Sequence, residues 1–471
     1  MLLERYYDDA LAQASYLIGC ERTREAIVID PNRDVARYLR AAAAHRMRLR
    51  YVTETHIHAD FLSGSRELAD DARADLLLSA HGGADWSYVF AGADGARMLR
   101  DGDTVDIGKV RITVLHTPGH TPEHIAFLIT DLAVGDRPIG LVSGDFVFVG
   151  DVGRPDLLER AANVAGSMEA AAKDLFASLR RLESLPDFLQ IWPGHGAGSA
   201  CGKALGSVPQ TTLGYERLYN PALQHATEDA FVRWVLADQP EPPRYFAVMK
   251  QLNRDGPPRR PPAEVPQLDA AGIEASLDRA HWVVDVRGSA EFAQQHLPGT
   301  INIPSSRSLP TYAGTVLTYD RPIALIAKSR DQALTAIAQL ALIGLDDVAG
   351  WAVLDVLQQV KSKGGMLDST RTIDATALAA RLEKDGLRVL DVRGRSEWNE
   401  GHLARATHIY LGDLADRASE LTPDAPIVVH CQSGTRSSIG ASLLRARGFT
   451  NVTVFSGGMD AWRRAGLPVE R

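Results

Sequence analysis

The sequence predicts an α/β protein in which a mixed α/β domain precedes two copies of a smaller α/β unit built on a parallel sheet. Three observations carry that expectation. Short β-branched runs such as Ala26–Asp30, Val110–Leu115 and Ile139–Ser143 alternate with turn residues and helical patterns in the first half. In the second half, Val283-Val-Asp-Val-Arg-Gly-Ser-Ala-Glu-Phe with His296 after it is echoed by Val389-Leu-Asp-Val-Arg-Gly-Arg-Ser-Glu-Trp with His402 after it, so one fold occurs twice. Between the halves, the prolines of Asp255-Gly-Pro-Pro-Arg-Arg-Pro-Pro-Ala-Glu-Val-Pro266 remove backbone donors, so neither helix nor central strand runs through.

Taken in order, these signals place a first domain at 1–252, a Pro-rich linker at 253–266, and the repeats at 267–368 and 369–471. From Leu205 to Asn253 the pattern turns helical, with Tyr215, Leu218, Phe231, Trp234 and Val235 available for an apolar face, and this stretch is expected to pack back on the first domain. Each repeat has a second apolar strand after a proline, Pro322-Ile-Ala-Leu-Ile-Ala327 and Pro426-Ile-Val-Val-His-Cys431, then a helix pattern and a strand ending near Trp351 or Trp462.

The 471 residues, 45% hydrophobic and 23% charged, suffice for about three ordinary domains. A net charge of −8 without a long Lys/Arg cluster disfavours nucleic acid and anionic membrane as partners and favours small substrates. The opening Met-Leu-Leu-Glu-Arg-Tyr-Tyr-Asp-Asp puts carboxylates where a signal peptide needs an apolar run, and no run of about eighteen apolar residues occurs. Three cysteines, Cys20, Cys201 and Cys431, argue against a disulfide framework and for a reducing compartment, so the cytoplasm is the expected location.

Chemistry concentrates in four His/Asp loops: Thr55-His56-Ile-His58-Ala-Asp60-Phe61, His116-Thr-Pro-Gly-His120-Thr, Ser143-Gly-Asp145 and Trp192-Pro-Gly-His195-Gly. Imidazole and carboxylate at strand ends suit a divalent zinc or iron ion. Two ligand sets stay open on the residues alone. His56, His120 and Asp145 make a two-histidine, one-carboxylate face for Fe(II), with positions left for O₂ and a sulfur ligand; His56, His58 and His120 make a zinc site that activates water.

Over roughly residues 1–200 the four loops resemble the metallo-β-lactamase superfamily, which implies an αββα sandwich followed here by the two α/β repeats. Dinuclear hydrolases of that superfamily carry His-x-His-x-Asp-His; Phe61 replaces the last histidine and should cripple a second metal site. Leu11-Ala-Gln-Ala-Ser-Tyr, Thr55-His-Ile-His-Ala-Asp and Gly144-Asp-Phe-Val-Phe-Val-Gly-Asp-Val-Gly-Arg-Pro-Asp-Leu157 look like the persulfide dioxygenase branch. That resemblance implies one Fe(II) per chain held by His56, His120 and Asp145, with a thiol persulfide and O₂ giving sulfite and free thiol. His58, Asp60 and His195 then hydrogen-bond ligands or substrate. Arg154 has two readings, an anion contact for substrate or a salt bridge that holds its loop.

Cys431 opens Cys431-Gln432-Ser433-Gly434-Thr435-Arg436 directly after an apolar strand and before a helix pattern. Loop amides and a helix N-terminus there stabilise a thiolate or an oxyanion, and Arg436 adds positive charge. With Asp391 and His402 upstream as scaffold, residues 370–471 resemble a rhodanese-type sulfurtransferase, with Gln432, Ser433, Gly434 and Thr435 forming the substrate cradle. Counting from Pro322 and Pro426, Ala327 stands where Cys431 does, so the first repeat has no nucleophile and is expected to serve structure or docking. Cys201, six positions after His195, is read either as a persulfide relay near the metal or as a partly buried loop cysteine; Cys20 is read as core.

The order of domains resembles bacterial fusions of persulfide dioxygenase and sulfurtransferase used in sulfide detoxification. That resemblance implies that sulfite formed at iron accepts the sulfane sulfur of Cys431, giving thiosulfate; the opposite flow, from thiosulfate through Cys431 toward the iron site, stays open on the residues alone. A zinc thioester hydrolase of the glyoxalase II kind with a sulfurtransferase appendage is the alternative. A homo-oligomer is expected, as enzymes of this type are commonly symmetric.

Overall fold

In the computed structural model, residues 1–160, 166–203, 205–261, 264–382 and 387–471 are described; Pro262 and Ala263 of the predicted linker lie outside them. The chain forms two compact units, residues 1–260 with 342–344, and the remainder of 261–471.

The first unit holds two six-stranded sheets. One runs in order β1 (Leu2–Asp8), β2 (Gln13–Cys20), β3 (Glu25–Ile29), β4 (Arg48–Thr53), β5 (Asp75–Ser79), β6 (Arg97–Leu99). The other orders β7 (Thr104–Ile107), β8 (Val110–His116), β9 (Ile125–Asp131), β10 (Gly140–Gly144), β11 (Gln190–Pro193) and β12 (Thr211–Thr212) from one edge to the other. Period-two alternation divides each strand between two cores. Tyr16, Ile18, Ile27 and Ile29 join Ile112, Val114, Ile125, Phe127, Val142 and Trp192 in a core between the sheets. The alternate residues Leu17, Ala26, Val28 and Val52 face the helices Val35–Ala44 and Ser65–Ala72, which contribute Tyr38, Ala42 and Leu68. On the far side, Ala126, Leu141 and Ile191 pack under the helices Met168–Arg180 and Glu228–Leu236 through Leu175, Leu179, Phe231 and Val235. The four layers make the expected αββα sandwich, because strands buried on both faces need helices outside and a second sheet inside.

The second unit contains the two repeats, each with its own parallel sheet. The first orders as β14 (Ile301–Asn302), β13 (Trp282–Asp285), β15 (Ile323–Ala327), β16 (Val348–Val353). The second orders as β17 (Arg371–Ile373), β21 (Val452–Phe455), β20 (Ile427–His430), β18 (Arg388–Asp391), β19 (Ala406–His408). The last strand of the second repeat ends at Phe455, and Trp462 lies in the following helix Gly458–Arg464, where its ring fills the core with Phe455 and Met459. Both repeats share a buried pin. Arg287 binds Asp285 and the Gln295 carbonyl, and Arg393 binds Asp391 and the Gly401 carbonyl. His296 stacks on Phe292 and donates to its carbonyl as His402 does to Trp398, so these residues hold the repeat together in both copies.

Candidate functional site

The carboxyl ends of β3 and β4 in one sheet, and of β8, β10 and β11 in the other, deliver the His/Asp loops of the first unit. Tight turns bring them together. Gly144 ends β10 at φ +51°, and a Cβ on Gly194 would stand 2.8 Å from Asp145 Oδ1, so glycine is what lets the β11 loop approach the carboxylate.

Hydrogen bonds on the far side of each ring decide which nitrogen faces the cluster. Thr55 Oγ1 donates to Asp30 Oδ2 at 2.9 Å, so its lone pair accepts from His56 Nδ1 at 2.9 Å, and His56 Nε2 is left with a free lone pair. His120 Nδ1 donates to the Arg154 carbonyl at 3.1 Å, which likewise turns Nε2 inward. These two nitrogens lie 3.9 and 3.5 Å from Asp145 Oδ2. All three side chains are buried, and His56 Nε2 and both Asp145 oxygens find no hydrogen-bond partner among the described residues. Burial, reinforced at His56 by His58 and its other imidazole neighbours, lowers the pKa of both imidazoles and keeps them neutral. Neutral imidazoles and an orphaned carboxylate, converging in a dry place, fit a divalent cation.

His58 is oriented differently. Its Nε2 donates to Asp30 Oδ1 at 3.1 Å; burial opposes its charge, but Asp30 overrides burial and lifts its pKa to about 9. Phe61 packs its ring 4.3 Å from the His58 ring, fully buried. His195 donates through Nδ1 to the Ala12 carbonyl and places Nε2 3.2 Å from Asp60 Oδ2 and 3.4 Å from Asp145 Oδ1. Asp60, His195 and Cys201 form a second group whose ligand atoms all lie within 4.8 Å of one another. Burial, with Asp60 and Asp145 nearby, pushes the Cys201 thiol well above its usual pKa. Arg154 is fully buried, donating from Nε and Nη2 to Asp156 and from its two terminal nitrogens to the carbonyls of Ala200 and Pro240. Of its two sequence readings, this geometry is that of the loop-holding salt bridge. Cys20 sits in the core between the sheets.

Asp30 and His124 escaped the sequence reading. Asp30 accepts from Thr55 N, Thr55 Oγ1 and His58, while the Asp145 amide donates to His124 Nε2 at 3.1 Å. The signal for Asp30 was its place at the end of the apolar run Ala26–Ile29, the position Asp145 occupies after β10.

In the second unit, Cys431 follows β20 and precedes the helix Thr435–Ala446. Gly434, at φ +118°, curls the loop so that its N–H donates to Cys431 Sγ at 3.1 Å. Arg436 makes a bidentate pair with Glu397 at 2.5 and 2.7 Å, which aligns the guanidinium and raises its pKa against the opposing effect of burial. Glu397 has a counterpart, Glu291, at the same place in the motif of the first repeat, so the motif alone does not mark it as the partner of Arg436. Gln432 donates to Asp460, while Ser433 is exposed and Thr435 half-buried at the loop's outer wall. In the first repeat, Ala327 ends β15, and Gln332, at the register of Arg436, closes the loop by accepting from Lys328 N at 2.7 Å.

The profile of the metallo-beta-lactamase superfamily matches residues 8–195, and that of the rhodanese-like domain matches 269–352 and 374–465. A metallo-beta-lactamase from Staphylococcus aureus subsp. aureus COL, solved at 2.1 Å, is 40% identical, with 75% of this chain and 99% of that chain covered and a TM-score of 0.68. A probable metallo-hydrolase of Burkholderia pseudomallei is 28% identical over 220 residues, 41% of this chain and 72% of its own length. Human mitochondrial persulfide dioxygenase ETHE1 is 27% identical over 233 residues, 49% of this chain and 78% of its own length. No helix among the described residues is long and apolar enough to cross a membrane.

Proposed function

Because the chain belongs to the metallo-β-lactamase superfamily and continues into two rhodanese-like domains, we propose that it is a non-haem Fe(II) persulfide dioxygenase coupled to sulfur transfer through Cys431 in sulfide detoxification. The observation that carries this reading is the buried His56, His120 and Asp145 set beside a His58 whose Nε2 is committed to Asp30. Two imidazoles and one carboxylate on one face leave open positions that a three-histidine zinc site fills differently. The relation of the first half to human persulfide dioxygenase supports the same choice.

Fe(II) bound there supplies a place where O₂ and the outer sulfur of a low-molecular-weight persulfide react. Per turnover, RSSH, O₂ and water give RSH and sulfite. The residues of this chain present two Nε2 lone pairs and one carboxylate, fix their directions through Thr55, Asp30 and the Arg154 carbonyl, and keep the cluster dry. Cys431 carries sulfane sulfur against the Gly434 N–H, and sulfite removes it as thiosulfate.

The test is O₂ consumption by anaerobically iron-loaded protein given glutathione persulfide or coenzyme A persulfide, with metal content measured on the same sample. Iron-dependent uptake with sulfite or thiosulfate appearing is the expected result; absence of uptake with every persulfide overturns it. The Asp60, His195 and Cys201 group favours a second reading, a zinc thioester hydrolase in which Cys201 supplies the ligand that Phe61 lacks. It predicts two zinc ions per chain and thioester cleavage without O₂.

A further inference from the structure

We propose that Asn253, with Tyr245 on the same helix, is a positioning residue for the metal cluster. It holds the main chain of the loop that carries His56, His58 and Asp60, and so fixes where the Asp60 carboxylate stands beside the metal ligands. The proposal rests on the reading of His56, His120 and Asp145 as the metal set.

The loop runs from Glu54 to Gly64, between β4 and the helix Ser65–Ala72, and all of it except Ala59 is buried. A buried loop has no water to satisfy its peptide groups, so they need partners within the protein. Its first part is tied to neighbouring carboxylates: Thr55 N donates to Asp30 Oδ1 at 2.6 Å and Ile57 N to Glu123 Oε1 at 2.7 Å.

Its second part is tied to the helix Tyr245–Asp255, 185 to 195 residues further along the chain. Asn253 Nδ2 donates to the carbonyls of His58 at 2.7 Å and Phe61 at 2.8 Å, and Asn253 Oδ1 accepts from Ser63 N at 2.9 Å. Tyr245 Oη donates to the Asp60 carbonyl at 3.0 Å. Two carbonyls and one N–H leave a single sensible orientation for the amide, with one hydrogen for each carbonyl, and Asn253 is only 1% exposed.

These bonds bracket Asp60. Both oxygens of its carboxylate are buried and find no hydrogen-bond partner among the described residues, yet Oδ2 stands 3.2 Å from His195 Nε2. Asp145 Oδ1 lies 3.4 Å from the same nitrogen. A side chain without hydrogen bonds of its own takes its place from its backbone, and here the backbone at His58, Asp60 and Phe61 is fixed by one helix. The His58 carbonyl belongs to the same set of bonds, so the helix also steadies the main chain just after the ligand His56. Tyr245 and Asn253 lie beyond the stretch 8–195 that matches the superfamily profile. The helical extension is therefore a working part of the metal site as well as a packing layer.

Full-length protein is titrated with Co(II), whose d–d absorption reports ligand geometry and whose affinity is read by competition with a chromophoric chelator. Asn253→Ala removes three of the loop bonds. Tyr245→Phe removes only the fourth and keeps the ring, and Met249→Ala truncates a buried apolar side chain of the same helix. The expected result is a fall of about tenfold in Co(II) affinity with a changed d–d spectrum in Asn253→Ala, and a smaller change of the same kind in Tyr245→Phe. Met249→Ala should keep the wild-type affinity and spectrum although its melting temperature falls. If Asn253→Ala does not fold, Tyr245→Phe against Met249→Ala decides. Wild-type affinity and spectrum in both loop-bond variants, or an equal loss in Met249→Ala, overturns the positioning role. His56→Ala tests the reading beneath it: Co(II) binding should fall steeply, and unchanged binding overturns the metal set itself.

Discussion

Thr55→Val isolates the bond chain that aims His56 at the cluster. Valine keeps the shape of the buried side chain and removes only the hydroxyl, which donates to Asp30 at 2.9 Å and accepts from His56 Nδ1 at 2.9 Å. The His56 Nδ1–H is then a buried donor without an acceptor, at a cost of about 1–3 kcal/mol. Asp30 keeps two donors, Thr55 N at 2.6 Å and His58 Nε2 at 3.1 Å, so its loss is smaller, about 1 kcal/mol. The sum is about 2–4 kcal/mol, a fall of roughly 5–15 °C in the melting of the first unit. Releasing the ring from its orienting partner lowers metal affinity about 10–100-fold. Both effects are measured separately, the melt on chelator-treated protein and the affinity by competition against a chromophoric chelator. Thr55→Ser retains the hydroxyl and should restore most of each. Wild-type metal affinity in the Val variant would refute the claim that Thr55 sets the direction of His56.

Cys431→Ser should abolish thiosulfate formation and let sulfite accumulate from persulfide and O₂; an unchanged product ratio would remove Cys431 from the pathway. Ala327→Cys in a Cys431→Ser background should give no thiosulfate-to-cyanide transfer, because Gln332 accepts from the Lys328 amide that an anion would need; recovered transfer would show that the loop is open. Arg154→Met removes the buried cation that pairs with Asp156 and holds the Ala200 and Pro240 carbonyls, and should cost about 3–5 kcal/mol in denaturant unfolding, whereas an unchanged midpoint would assign Arg154 no role in holding its loop. Burial pushes Glu123 from 4.5 up to about 7, so the folded chain keeps a proton that the unfolded chain releases, and stability falls as pH rises across that window. Glu123→Gln should therefore gain on the wild type by at most about 3 kcal/mol between about pH 5 and about pH 8; parallel stability curves would contradict the buried proton.

The fold was legible because burial on two faces imposes a pattern that sequence alone displays. Alternation along Ala26–Ile29 and the apolar run at Val110–Leu115 mark strands, and the repeated Asp-Val-Arg motif marks a second fold twice over. Strand order across the two sheets was not readable, since each edge pairing depends on contacts between segments remote in sequence. The end of the last strand was misplaced for a local reason. Trp462 completes an apolar core from a helix, and a single large residue does not distinguish the two periodicities.

Within the metal cluster, the sequence supplied the candidates but not their orientations. His56 and His58 occupy one motif and are both buried, yet His56 binds Thr55 through Nδ1 and His58 binds Asp30 through Nε2. The difference comes from Asp30, which follows another strand, β3, so no spacing within the motif encodes it. The paired repeats show the same separation of fold from chemistry. Glu291 and Glu397 both accept from the amide of the glycine that starts their helix, and this use is indifferent to catalysis. Only Glu397 also aligns an arginine beside a thiol, whereas Glu291 pairs with Lys328 at 2.8 Å above an alanine. An acid retained for capping remains available to orient a catalytic cation, so losing the thiol need not disturb the fold, and the Cys-less repeat can keep its place against the catalytic helix through Asn302 after its own chemistry is gone.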